Sequence, residues 1–172
     1  MLRSLRPFAF ALAAAISLPA SAAMAQGEFT PGTKILSLGV LSDNGTGVSG
    51  AFEYSLLELA PNIRLGVGGS LGYFSEDVAG FSFSSMPILA NGNVHLALPD
   101  VPALDLFAGA SFGIVRFSYD SDFPGVGDAS DSDTVFGVNL GARYYFTPRV
   151  GAVAQFGIGD VPELFFGVTF KF

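Results

Sequence analysis

From Lys34 onward the chain alternates between apolar and small or polar positions. In residues 63–74, Ile63, Leu65, Val67, Leu71 and Tyr73 share one parity, and Arg64, Gly66, Gly68, Ser70 and Gly72 share the other. Successive side chains of a strand point to opposite faces, so such a segment has one apolar face and one small or polar face. The pattern predicts eight strands, over residues 34–42, 48–57, 63–74, 88–98, 104–119, 134–146, 149–158 and 163–172. In the first, Leu36, Leu38 and Val40 form the apolar face, while Ile35 and Leu41 break the alternation. Asp43-Asn44-Gly45-Thr46-Gly47, Pro99-Asp100-Val101-Pro102 and Thr147-Pro148 read as turns. Residues 75–85 read as a longer loop or an overhanging strand end, and residues 120–133 as a long loop. Pro87 lacks a backbone donor, which places it at a strand end or a bulge.

The parity of the charges decides what the two faces meet. Glu53, Arg64, Asp105, Asn139, Arg143, Gln155 and Lys171 fall on the small-residue face. A soluble barrel is polar outside and apolar inside. Here the crowded, glycine-rich face carries the charges, which suits a lumen. An arginine on a lipid face would cost about 2–4 kcal/mol at the bilayer midplane. Arg64, Arg143, Arg149 and Lys171 could pair in that lumen with Glu53, Asp105 and Glu163. Tyr54, Tyr144, Phe146, Phe170 and Phe172 fall near one set of strand ends and Tyr73 near the other, as two interfacial girdles require. The expected fold is all-β: a closed eight-stranded antiparallel up-and-down transmembrane β-barrel over residues 34–172.

Composition agrees with that reading. Half of the 172 residues are apolar and 13% are charged, with Gly 22 and Phe 18. Beyond the first residues no apolar run is long enough for a membrane helix; the hydropathy is dispersed at alternate positions instead. Arg3 and Arg6 precede an apolar run, and Ala23-Met24-Ala25 is a small-x-small site, so residues 1–25 read as a secretory signal peptide cleaved after Ala25. Residues 26–33 form a polar, Pro-containing lead-in on the periplasmic side. There are no cysteines, which removes both a lipoprotein anchor and a disulfide framework. The net charge of −7 argues against nucleic acid as a partner.

The last ten residues, Glu163 to Phe172, set Leu164, Phe166, Val168, Phe170 and Phe172 on one face and end on an aromatic residue. This segment resembles the closing strand of bacterial outer-membrane β-barrels, and the chain is similar overall to the small OmpX and OmpA-barrel families. The resemblance implies that Phe170 and Phe172 belong to the signal read by the barrel-insertion machinery. It also implies periplasmic chaperones during biogenesis, outer-membrane lipid and lipopolysaccharide as surroundings, and a monomer. The mostly longer connections after odd-numbered strands and the short Pro-containing turns after even-numbered ones put both termini in the periplasm. The resemblance brings no catalytic motif, and activity does not transfer with fold.

Candidate chemistry is sparse. His95, the one histidine, has inward parity. It could serve an outer-membrane lipid hydrolase if a serine stood beside it; otherwise it joins a lumenal network with Asn91 and Asn93. Asp120, Asp122, Asp128, Asp131 and Asp133 could offer oxygen ligands to a hard cation, with Asp128, Asp131 and Asp133 the candidates. Their spacing does not match a calcium loop, and a solvated loop is the reading adopted. No cofactor is implied. Arg116 has outward parity, where it could contact a lipid phosphate or mark a slip of phase. An eight-stranded barrel has room for little more than its own side chains, with Phe107, Tyr145 and Phe165 expected to fill it. The expected function is a non-catalytic structural or surface-interaction role; the alternative is passive transport of small or hydrophobic molecules.

Overall fold

A computed structural model of the chain describes residues 29–42, 45–78, 81–121 and 129–172. The expected signal peptide with its cleavage site at Ala25, the start of the expected lead-in and Asp128 lie outside the described residues. Eight strands follow in order: β1 (Lys34–Ser42), β2 (Thr46–Ala60), β3 (Ile63–Val78), β4 (Phe81–Ala97), β5 (Leu104–Ser121), β6 (Ala129–Tyr145), β7 (Val150–Gly159) and β8 (Leu164–Lys171). Each pairs antiparallel with the next, and β1 pairs with β8, which closes the barrel. At the seam, Lys34 and Phe172 exchange two backbone hydrogen bonds of 3.0 Å. Phe172 thus sits where the ring closes, at the end of the barrel where β1 starts and β8 stops.

The parity assigned from sequence holds around the ring. Leu38, Val48, Phe112, Phe136 and Ile158 are exposed on the outside, and Leu140 reaches 63% exposure. Inside, Glu53, Ser55, Arg64, His95, Asp105, Arg143 and Thr169 are buried. Charges buried and leucines exposed is the inverse of a soluble protein, and it requires an apolar solvent around the wall. The breaks in β1 have a simple cause. Ile35 and Leu41 point inward and are buried at two levels of the lumen, so both faces of this strand carry apolar residues.

Several boundaries differ from the sequence reading. The long loop expected over residues 120–133 gives way to strand at both ends, since β5 runs to Ser121 and β6 starts at Ala129. Residues 75–85 follow the second of their two readings, since 75–78 and 81–85 are overhanging strand ends. Pro87 sits inside β4, not at an end or a bulge. It pairs with Val115 of β5, while the β3 ladder skips from Leu71–Ile88 to Phe74–Ser85 without changing register. The missing donor therefore interrupts one side of the strand only. β2 continues to Ala60 through register shifts at Ser55/Leu57 and Glu58/Ala60. Bulges break the period of two, which is why the pattern faded at Leu57. Asn62 completes the Pro61-Asn62 turn at φ 67°, a conformation that Asn tolerates better than most residues. Arg116 marks no phase slip: its register with Met86 and Ser132 is continuous, and it stays on the outer face.

Candidate functional site

Three inward residues near the terminal end are fixed by the β4–β5 turn and the long β5–β6 ladder. The β4–β5 turn sets Ala97 opposite Asp105 and His95 opposite Phe107. The β5–β6 register sets Asp105 opposite Arg143. The fourth residue, Glu53, comes from β2. In a ring of eight, β2 and β6 lie on opposite walls, so a contact between Glu53 and Arg143 spans the lumen.

That contact is made. Arg143 donates through Nη2 to Glu53 Oε2 and through Nη1 to Asp105 Oδ2, the latter at 3.2 Å. His95 lies between the same two carboxylates, with Nδ1 at 2.9 Å from Asp105 Oδ1 and Nε2 at 2.9 Å from Glu53 Oε1. The ring can donate to both only when each nitrogen carries hydrogen. Asn93 adds a 2.7 Å bond from Nδ2 to Glu53 Oε1. The site is two carboxylates held by a guanidinium, an imidazole and an amide, all buried. Hydrogen-bonded pairing of this kind is what makes buried charge tolerable.

Aromatic rings enclose the network. Phe29, from the lead-in, stacks on His95 with centroids 3.9 Å apart at 30°, and Phe107 lies 5.6 Å away on the same imidazole. Arg143 Cζ is 4.4 Å from the Phe107 centroid, a cation–π distance. Phe29 packs with Ile35, Ala103 and Tyr145 into a seal at the terminal end. The lead-in is fastened there by Gly32 N to Ser55 O at 2.9 Å and Ser55 N to Thr33 O at 2.8 Å. Gly66 makes room for the seal: a Cβ there would meet Glu53 Oε1 and the Phe29 ring within 3 Å. On the other side of the charged layer, Leu41, Phe107, Val153 and Phe165 fill the lumen. Beyond a small polar cavity of about 50 Å³, Leu89, Val135 and Val161 form a last apolar layer.

The residues singled out from sequence separate into levels. Glu53, Asp105 and Arg143 come together in one cluster. Arg64 does not join them; its Nε is 4.0 Å from Glu58 Oε2. Asn139 bonds Ser111 at 3.1 Å, and Gln155 lines the small cavity. Lys171 Nζ lies 4.7 Å from the Tyr145 ring centroid. Arg149 and Glu163 lie near opposite ends of β7 and β8, too far along the lumen to share one pairing. Asn91 bonds Ser70 at 3.3 Å instead of His95. Asp131 and Asp133 share the inner face of β6 and are exposed, and the described residues bring no third ligand to them.

Sequence reasoning missed the ionic partners of His95 and the Phe29 seal. The first was within reach: inward parity plus the short Pro99–Pro102 turn places His95 diagonal to Asp105. The second had no strand pattern to reveal it. Both nitrogens of His95 face carboxylates, and no hydrogen bond among the described residues joins it to a serine hydroxyl. The arrangement offers no nucleophile–base pair. What it does is brace β2, β4, β5 and β6 against one another across a filled lumen.

Solved structures share this architecture. The Ail attachment invasion locus protein of Yersinia pestis aligns with TM-score 0.57 at 15% identity, covering 83% of this chain and 100% of that one. A major outer membrane protein from Thermus thermophilus aligns at 0.55 and 15% identity, over 81% of this chain and 99% of that one. The N-terminal β-barrel domain of Pseudomonas aeruginosa OprF aligns at 0.50 and 20% identity, over 83% and 98%. At these identities the likeness is one of fold. No curated protein matches the chain in sequence. The family model described as the outer membrane protein beta-barrel domain matches residues 8–166, and with the inverted wall and the closed ring of eight strands this makes the chain a member of the outer-membrane β-barrel family.

Proposed function

We propose that the protein is a non-conducting surface protein of the outer membrane, with both termini in the periplasm, whose working part is a sheet standing clear of the barrel. The observation that carries this is the unequal length of the strands. β6 pairs with β7 only from Gly137 onward, and Asp160 N donates to Phe136 O, so residues 129–135 have backbone ladder partners in β5 alone. On the other flank, β2 pairs with β3 no further than Gly47–Phe74, and residues 75–78 are held by β4 alone. β3 to β6 therefore rise beyond β7, β8, β1 and β2 by up to about 25 Å of strand. A wall that needed only to span the bilayer would end level, since a spanning strand takes about 9–11 residues. Extra strand beyond that length exposes backbone edges and side chains to partners outside the membrane.

The lumen supports the same reading. Passage through it would have to displace the Phe29 seal, the Glu53–Arg143 bridge and two apolar layers. Among the described residues these layers stand across the lumen, which favours this reading over passive transport, the alternative drawn from the sequence. The residues involved act as structure, and catalysis has no assigned part.

The chain has no cysteine of its own, which makes topology directly measurable. A Ser130→Cys variant should react with a membrane-impermeant maleimide on intact cells, and a Thr147→Cys variant only after the outer membrane is permeabilised. Replacing residues 119–131 by a short Asn-Gly turn should leave the gel shift of the folded barrel intact and abolish any adhesion that cells gain from the full-length protein. The reverse labelling pattern, or adhesion unchanged by the trimmed hairpin, would contradict the proposal.

A further inference from the structure

The protruding sheet is concave, and its inner face is not plain. Phe74, Phe83, Phe117 and Tyr119 come from three neighbouring strands with inward parity and line a cavity of about 600 Å³ at the far mouth. The Phe83 and Tyr119 rings contact each other at 5.2 Å and 58°. Phe83 and Phe117 remain more than two-fifths exposed, although they have inward parity. Below them the Leu89, Val135 and Val161 layer closes the floor. The short β7, β8 and β1 leave one side open. The volume falls within the range of small-ligand pockets, and aromatic walls are typical of them.

The charge around this cavity has one sign. Asp131 lines it, and Asp133 and Asp160 line an adjoining cavity of about 440 Å³ that shares Phe74, Ser85 and Phe117. Among the described residues the only cation at this end is Arg116, and it stands on the outer face of the same sheet. Aromatic faces attract cations through their quadrupole, and carboxylates beside them add a direct Coulomb attraction. An anionic lipid headgroup would meet repulsion at the same place. We infer that this vestibule binds a small organic cation with an apolar body, held by Phe74, Phe83, Phe117 and Tyr119 and selected by Asp131 and Asp133.

A matched pair of probes tests the inference: tetraphenylphosphonium and tetraphenylborate, which have similar apolar shells and opposite charge. Equilibrium dialysis against the barrel in zwitterionic nanodiscs, with empty nanodiscs subtracted, should show saturable one-to-one binding of the cation and none of the anion. Asp131→Asn with Asp133→Asn should weaken the cation by at least about tenfold, and Phe117→Ala by about fivefold. Both variants should keep the gel shift of the folded barrel, because these side chains lie beyond the membrane-spanning ladder. Equal binding of the two ions would make the cavity a merely apolar site, suited to an acyl chain, and would overturn the inference. So would the absence of saturable cation binding, or affinity unchanged in both folded variants.

Discussion

Arg143 holds two carboxylates from different strands, and neither has another guanidinium within reach. Removing it leaves Glu53 and Asp105 buried with only His95 and the Asn93 amide, among the described residues, to offset them. Breaking a buried pair from one side typically costs about 3–5 kcal/mol. An Arg143→Met barrel refolded in micelles should lose stability of that order in urea, and adding Glu53→Gln should restore part of it through a positive coupling. A loss below about 1 kcal/mol would show that water reaches this layer and screens it. The inward parity of Glu53, Asp105 and Arg143 was legible in the sequence, because a strand sorts its faces strictly by odd and even number. Their pairing was not. Which inward residues share a level depends on the stagger of the closed ring and on which strands face each other across it, and no local pattern encodes either. Phe29 was hidden for a different reason: it belongs to no strand, and its burial comes from rings and side chains of several strands together with the seat that Gly66 leaves open.

At the scale of elements, the sequence read each strand well where the wall meets lipid and poorly beyond it. Residues 137–145 of β6 alternate strictly, since one side must be apolar and the other must fit the lumen. Residues 129–134, Ala-Ser-Asp-Ser-Asp-Thr, have water on both faces and no reason to alternate. They form strand because β5 pairs with them, a tertiary cause that composition disguised as loop. The charges at Asp131 and Asp133 are also how an exposed edge avoids pairing with itself. This division has a measurable consequence on the same strand. Leu140, fully on the outer face, should tolerate arginine badly, with Leu140→Arg costing about 2–4 kcal/mol. Thr134→Arg, above the belt, should fold with little penalty. Similar costs at the two positions in urea unfolding would misplace the membrane along β6.

For the whole molecule, the layers stack into one obstruction. A seal of Phe29, Ile35, Ala103 and Tyr145 closes the terminal end, the charged network bridges the diameter, and two apolar layers fill the far half. The fold thereby spends its lumen on stability and presents its distinctive surface at the far mouth. The most direct test is single-channel recording from the wild-type protein reconstituted in a planar bilayer, with the gel shift verifying that it is folded. The expected result is a silent membrane across the voltages tested. Steady, reproducible conductance steps from folded protein would mean that the Glu53–Arg143 bridge and its flanking layers do not seal the lumen, and the account of a closed barrel would fail.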